Sequence, residues 1–150
     1  MAKRAKPGDV VMVSTSAGPV YVHYLGRHRV YGDGVTVCPT KQVGTVLPSL
    51  DLFQDGYFTF FPVGVAVARG LASIIGHLPS SGIPTRLRRA GRRSGNKVET
   101  WIIEDGAAEV VRKKLTDAEL RLPIASIWNL EALAQAVSEG WRPEMEGDRE

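Results

Sequence analysis

The sequence is poor in the residue types that most often build metal sites and disulfides. Of its 150 residues, one is cysteine and three are histidine. One cysteine forms neither an internal disulfide nor a thiolate zinc site, so Cys38 fits a reducing compartment and a structural role. The histidines, His23, His28 and His77, occur in no His-Glu-x-x-His arrangement. The sequence therefore predicts that no metal is bound.

Motifs for catalysis are also missing. Ser14 and Ser16 follow a predicted strand without a Gly-x-Ser-x-Gly elbow, and no glycine is followed by Lys-Ser or Lys-Thr in the manner of a phosphate loop. The aspartates are scattered over predicted turns, where Asp is favoured for backbone reasons. We therefore expect a protein that is not an enzyme and that needs no cofactor.

The sequence has no uninterrupted apolar run long enough for a membrane span. The longest apolar stretch, residues 57–78, is broken by Pro62, Arg69, His77 and glycines. Residues 1–6 are basic but no apolar run follows them, so they do not read as a secretory signal. We expect a cytoplasmic protein without a membrane partner.

Length and composition favour one domain. A chain of 150 residues with 43% hydrophobic content is long enough for a core and lies near the commonest domain size. We predict a single domain over 1–150. Residues 1–6 and the polar, acidic end at 143–150 are expected to be frayed.

Positive charge is concentrated in one segment, residues 86–97, which holds six bases and no acid. The rest of the chain contains 13 of the 19 bases and all 16 acids, so its net charge is −3.

Composition places residues 80–96 on a surface loop. Six bases there can follow phosphates, and two aromatic residues can stack on nucleotide bases. The candidate partner-binding residues are Arg86, Arg88, Arg89, Arg92, Arg93, Tyr57 and Trp101.

Hydrophobic patterning predicts strands first and helices last. Residues 9–14 and 20–25 are β-branched or aromatic runs joined by turn residues, which indicates a hairpin. A second hairpin is predicted around Asp105-Gly106, a dipeptide suited to a type I′ turn. Val63–Gly70 fits a short helix or a buried strand, and we favour the helix. Further strands are predicted at 35–38, 57–61 and 71–77.

Capping residues mark two helices near the carboxyl end. Thr116 and Glu119 have the spacing of a capping box. Asn129 is a good N-cap and Gly140 a good C-terminal cap for a longer helix between them. Trp128 and Leu133 occupy the positions of a hydrophobic staple, and the apolar face of that helix is formed by Leu130, Leu133, Ala134 and Val137.

Taken together, these elements predict an α+β fold. A curled antiparallel sheet, begun by an SH3-like N-terminal hairpin, is expected to pack against the C-terminal helices. The long helix is expected to supply its apolar face to the sheet, because helices of this length are marginal in water alone.

Several short motifs occur in a characteristic order along most of the chain. They are Pro-Gly-Asp-Val-Val at 7–11, Pro-Val with Ala66 at 62–66, Gly-Leu-Ala-Ser-Ile-Ile-Gly-His-Leu-Pro at 70–79, Ile-Pro-Thr-Arg-Leu at 83–87, Trp-Ile-Ile-Glu-Asp-Gly at 101–106 and Leu-Thr-Asp-Ala-Glu at 115–119. In this arrangement the chain resembles the immunity-protein twenty-six family of bacterial polymorphic toxin systems. Leu71 and Leu87 stand where that pattern has aromatic residues.

The resemblance implies a small cytoplasmic protein that binds and neutralises a cognate protein toxin, which is usually encoded beside it. Inhibition of that kind needs only occlusion of the toxin and no chemistry by the inhibitor. Two alternatives remain open. One is a nucleic-acid-binding SH3-like module that uses the basic loop 86–97, and the other is a structural scaffold protein.

Overall fold

A computed structural model of the chain describes residues 4–146. Their contacts divide the chain into two compact units. Unit 1 comprises the chain up to Ile83 together with Ile127–Trp141, and unit 2 comprises Pro84–Ser126 together with the described residues from Arg142 onward. The single domain predicted for 1–150 stays a prediction.

Unit 1 is built on a five-stranded antiparallel sheet with the order β4-β3-β2-β1-β5, which is not closed into a barrel. The first predicted hairpin is confirmed, with a tighter turn than expected, because Thr15 pairs directly with Gly18. The strands are β1 Asp9–Thr15, β2 Gly18–His28, β3 Gly32–Val37, β4 Tyr57–Phe60 and β5 Ala72–His77.

Two helices cover this sheet within unit 1. Helix α1, Val63–Ala68, confirms the helical interpretation of that ambiguous stretch. Helix α3, Leu130–Glu139, begins at Asn129, whose Oδ1 accepts the backbone N–H of Ala132 at 2.8 Å. It ends at Gly140, which has the left-handed φ of 66° that glycine adopts without strain.

The core of unit 1 is mainly aliphatic. Leu133 is fully buried and Trp128 is partly buried in the same cluster, as the predicted staple requires. Valines of the central strands fill the opposite side, so burial of apolar area is the main source of stability here. The fully buried valines of this cluster are Val11, Val13, Val22, Val35, Val37 and Val63. The α+β class, with an antiparallel sheet packed on a C-terminal helix, is confirmed.

Unit 2 holds a three-stranded antiparallel sheet with the order β10-β9-β6. Its strands are β6 Arg86–Ala90, β9 Trp101–Asp105 and β10 Ala108–Arg112, and a smaller pair joins β7 Arg93–Ser94 to β8 Lys97–Val98. The prediction of a surface loop over 80–96 is wrong for most of the basic segment. Residues 86–90 form a strand because they pair with β9, and their arginine-rich composition does not predict a strand.

The second predicted hairpin is present, but its turn differs from the prediction. Asp105 pairs with Ala108, so Gly106 and Ala107 form the two-residue loop. Gly106 has a φ of 61°, whereas no non-glycine residue in the described chain has a positive φ. A positive φ at the first loop position alone is the pattern of a type II′ turn, so the type I′ prediction is wrong.

Helix α2, Asp117–Leu120, completes unit 2 and carries the predicted capping box. The Thr116 Oγ1 accepts the N–H of Glu119 at 3.2 Å, and a Glu119 carboxylate oxygen accepts the N–H of Thr116 at 3.0 Å. Near the carboxyl end, Pro143–Met145 form a 3-10 turn in which Pro143 is buried. Residues 143–146 thus differ from the frayed tail expected there, while 1–3 and 147–150 lie outside the described residues.

Candidate functional site

The basic segment 86–97 contains one arginine that is completely buried. The Arg88 guanidinium donates hydrogen bonds to the backbone carbonyl oxygens of Leu120 at 3.2 Å, Leu122 at 3.4 Å and Pro143 at 2.6 Å, and also to that of Glu146. It also lies 4.4 Å from the centre of the Trp101 ring, a cation–π distance. Arg88 therefore holds unit 2 together, and its predicted place on an exposed loop is wrong.

Three more arginines of the segment face carboxylates of their own unit. Arg86 Nε lies 3.9 Å from Asp105 and Arg92 Nε lies 3.1 Å from Glu99. Arg89 contacts two acids, Glu104 and Glu109. The Arg86 and Arg92 pairs are exposed and add little stability, but all of these pairs reduce the positive field that a phosphate would meet.

Arg89 joins all three strands of the unit 2 sheet. Its Nε donates to Glu104 on β9, and its Nη2 donates to Glu109 on β10 at 3.2 Å. The hydrogen bond with Glu104 is the main reason that the pKa of Arg89 is raised above its ordinary value. The face of the sheet that carries Arg89 is therefore a paired charge network rather than a basic patch.

Only the end of the segment remains without such partners. Arg93 and Lys97 are exposed and form no ion pair within residues 4–146. They line an open cavity of about 590 Å3 together with Trp101 and Met145. Two unpaired bases are a much smaller electrostatic footprint than the six counted in the sequence.

The two aromatic residues predicted to stack on a partner lie in the interior. Trp101 is 2% exposed and Tyr57 is 5% exposed. The Tyr57 ring packs edge-on against Trp128 and Trp141, with centroids 5.9 and 5.1 Å away. A ring enclosed in this way offers no face to a nucleotide base, so base stacking by Tyr57 and Trp101 is not what the structure provides. Partner binding by Arg86, Arg89, Arg92 and Arg93 stays a prediction.

A second concave surface lies in unit 1 and was not anticipated from the sequence. We call it the Arg27 groove, an open cavity of about 680 Å3. Asp33 lies in it with both carboxylate oxygens occupied: Oδ1 accepts the Tyr24 hydroxyl at 2.9 Å, and Oδ2 accepts the Gly64 N–H at 3.0 Å. Burial, with the adjacent Asp33 adding to it, raises the pKa of Tyr24 to about 12. Residues that line the groove include Arg4, Arg27, Tyr31, Asp33, Val65 and Ile127.

The surface of the Arg27 groove combines cations with exposed apolar side chains. Helix α1 buries Val63, Ala66 and Val67 against the sheet, which leaves Val65 on the outer side at 50% exposure. Ile127, whose backbone bridges to Phe60 of β4, is 61% exposed. Both are large apolar residues that a monomer gains nothing by exposing.

An aromatic residue, Tyr31, also lines the Arg27 groove. The Tyr31 ring lies 4.8 Å from that of His28 and 5.0 Å from that of Phe60, so its position is fixed by packing. Arg4 and Arg27, which line the same groove, are exposed. Since these residues come from four separate parts of the chain, no local sequence motif marks the groove.

The described chain has neither a cluster of metal-binding side chains nor a helix suited to span a membrane. Residues 4–146 contain no cluster of three or more His, Cys, Asp and Glu side chains placed to hold a metal ion. None of the helices in that part of the chain combines the length and the apolar character needed to cross a membrane.

Comparison of the chain with protein-family models, curated proteins and solved structures finds no match.

Proposed function

We propose that this chain is a cytoplasmic immunity protein that binds a cognate protein toxin and neutralises it by occlusion, without catalysis. The proposal combines the family resemblance of the sequence with one structural observation. That observation is the Arg27 groove, where fixed aromatic, apolar and arginine side chains are exposed together.

Protein interfaces are enriched in these residue types. Tyr and Arg are the commonest anchors, and they act best beside apolar side chains that exclude water. In the groove, Tyr31 is prepositioned by its ring contacts, so it loses little side-chain entropy on binding. Val65 and Ile127 supply apolar area, while Arg4 and Arg27 favour a toxin surface that carries carboxylates.

The charge arrangement of unit 2 counts against nucleic acid as the main partner. Arg88 is buried, and Arg86, Arg89 and Arg92 face acids of their own unit. About five phosphate contacts would give a slope of log K against log salt near −3.5 to −4.5, whereas two free bases give roughly −1.4 to −1.8.

The test is protection of growth by co-expression with a toxin domain encoded beside the gene. We expect the unaltered chain to restore growth and to bind the purified toxin domain in calorimetry. Arg27→Glu and Val65→Asp should each weaken binding by at least about tenfold, because one reverses a charge and the other buries one at the apolar surface.

Matched controls lie close by. Arg29→Glu and Val30→Asp make the same chemical changes at exposed residues that do not line the groove, and both should leave binding unchanged. If the groove variants protect as well as the controls do, the groove is not the toxin-binding surface. If the unaltered chain neither binds nor protects, the immunity function itself is wrong.

Binding to random-sequence oligonucleotides tests the nucleic-acid alternative directly. The test variant is the double substitution Arg93→Ser and Lys97→Ser, which removes the two bases of the segment that form no ion pair. Arg88 is kept, because we expect its removal to damage the fold of unit 2. We expect weak binding that is lost at about 150 mM salt. Sub-micromolar affinity at that salt, lost in the double variant, would favour the nucleic-acid function instead.

A further inference from the structure

Strand β10 is an outer strand of the unit 2 sheet whose free edge has no cover in the described chain. Its residues pair in continuous register with β9, and no other backbone hydrogen bond within residues 4–146 involves Ala108–Arg112. Val110 and Val111 are 44% and 62% exposed. An edge strand with free N–H and C=O groups and exposed valines is a template for another strand.

Two other outer strands of this protein, β6 and β4, are covered in part by the chain itself. On β6, the Arg88 N–H donates to the Pro123 carbonyl at 2.9 Å, and the Ala125 N–H donates to the Arg88 carbonyl at 2.8 Å. On β4, the Trp128 N–H donates to the Phe60 carbonyl at 2.8 Å. Strand β10 lacks this cover and also a proline or a bulge, and the one charge on its inner face, Arg112, is paired with Glu119 at 3.0 Å.

We propose that β10 is a self-association surface on which two copies of the chain pair antiparallel about a twofold axis at Val111. This inference does not depend on the proposed function. In an antiparallel pair, opposite residues lie on the same face of the sheet. A twofold axis normal to the sheet keeps every side chain on its own face, and neighbouring residues of a strand point to opposite faces. The axis therefore passes through a residue and not between two residues.

The charges around β10 select the position of the axis. With the axis at Val111, the two Val111 side chains oppose each other. Glu109 then opposes Lys113 of the second copy, twice by symmetry, once pairing extends β10 by the one residue that follows Arg112. With the axis at Val110, Glu109 opposes Val111 and no charged residue faces an opposite charge. Opposite charges and paired β-branched residues both stabilise cross-strand neighbours, so the Val111 axis is preferred.

The face on which these pairs form already carries ordered charge. Glu109, Val111 and Arg89 share one face of the sheet, where Arg89 holds Glu109 at 3.2 Å. A second cation from the neighbouring copy would complete a network around Glu109. One pair of short strands buries little area, so we expect a weak dimer that forms reversibly in the micromolar to millimolar range.

The register is tested by disulfide trapping in a Cys38→Ala background. Val111→Cys places two thiols opposite each other across the axis, whereas Val110→Cys offsets them by two residues. On mild oxidation we expect a covalent dimer from Val111→Cys and several-fold less from Val110→Cys. Equal trapping of both variants, or a preference for Val110→Cys, would overturn the proposed register.

Sedimentation velocity of the unaltered chain at up to roughly 1 mM tests the association itself. Lys113→Glu places like charges opposite each other and should move the monomer–dimer midpoint to about tenfold higher concentration. Adding Glu109→Lys should recover much of that loss. Lys114→Glu makes the same charge change at the next exposed residue and should have little effect. A chain that stays monomeric throughout, or a Lys114→Glu effect as large as that of Lys113→Glu, would overturn the proposal.

Discussion

The five-stranded sheet of unit 1 and the three-stranded sheet of unit 2 bury different chemistry. The first encloses valines, Phe61 and Leu133, while the largest fully buried side chain of the second is an arginine. Unit 1 gains stability from apolar area, which tolerates small changes in geometry. Unit 2 relies on directed hydrogen bonds from Arg88 to four carbonyl groups, which fail together when their common donor is lost.

The two sheets also differ in what they leave exposed. In unit 1, the exposed surface around Arg27 mixes apolar and cationic side chains, as a protein-binding site does. In unit 2, Arg86 and Arg89 meet acids on neighbouring strands and Arg92 meets Glu99, so a segment that is basic in sequence is partly neutralised in space. Net charge along a sequence is therefore a poor guide to the surface field when oppositely charged strands pair.

The largest effect is expected from the aliphatic core of unit 1. Leu133→Ala should lower the free energy of unfolding by about 3–5 kcal/mol, because it removes a fully buried side chain and leaves a cavity. Gln135→Ala, on the exposed side of the same helix, should cost less than about 0.5 kcal/mol. Urea denaturation followed by tryptophan fluorescence measures both, and equal costs would contradict the packing of α3 on the sheet.

The next effect should separate two adjacent arginines. Arg88→Ala should cost about 3 kcal/mol, because it leaves buried carbonyl groups without their donor. Arg88→Lys should recover only part of this, since an ammonium group has no planar fork and stacks poorly on Trp101. Hydrogen exchange measured by mass spectrometry should show the lost protection in β6, β9 and residues 120–125, with β1 to β3 unchanged.

Arg89→Ala is the matched control for that experiment. Its side chain is 34% exposed and contacts the exposed Glu109 as well as the partly buried Glu104, so the cost should stay at about 1 kcal/mol or below. Loss of protection as large as that of Arg88→Ala would mean that the surface charge network, rather than the buried arginine, holds unit 2 together.

A smaller effect compares the two helix caps, one in each unit. Thr116→Ala and Asn129→Ala should each cost about 1 kcal/mol, because each removes an acceptor for a backbone N–H in the first turn. Exchange of Thr116 for Ser should be nearly neutral, since the hydroxyl is kept. Thermal unfolding of these three variants and of the unaltered chain measures the effects.

The smallest effect is a pH dependence confined to the unit 2 cap. The backbone hydrogen bond from Thr116, aided by Arg112, lowers the pKa of Glu119 below its ordinary value. The folded state thus favours the carboxylate, so its contribution is complete above the unfolded pKa and is lost as pH falls through the lower folded pKa. Glu119→Gln should cost about 0.5–1 kcal/mol near pH 7, and this cost should shrink as the pH falls below the ordinary pKa of a glutamate toward the lower folded pKa.

The Asn129 cap supplies the contrast, because its amide does not titrate in this range. The cost of Asn129→Ala should therefore be the same across this range. A cost of Glu119→Gln that does not change with pH would show that the glutamate acts through packing rather than through its charge.

Features that depend on neighbouring residues were accessible from the sequence. The first hairpin, the capping box at Thr116, the N-cap at Asn129 and the apolar face of α3 each follow from residues a few positions apart. Such signals act through backbone hydrogen bonds and side-chain periodicity, and distant residues do not alter them. The α+β class followed from the order of these elements.

Tertiary contacts decided the rest. Strand β6 exists because β9 and residues 123–125 supply partners on both sides, and no pattern within 86–90 announces those partners. Arg88 is buried because carbonyl groups from two distant segments converge on it, although arginine is normally a surface residue. The Arg27 groove joins residues from four parts of the chain. Long-range contacts of this kind depend on the whole fold, so they are invisible to any window of sequence.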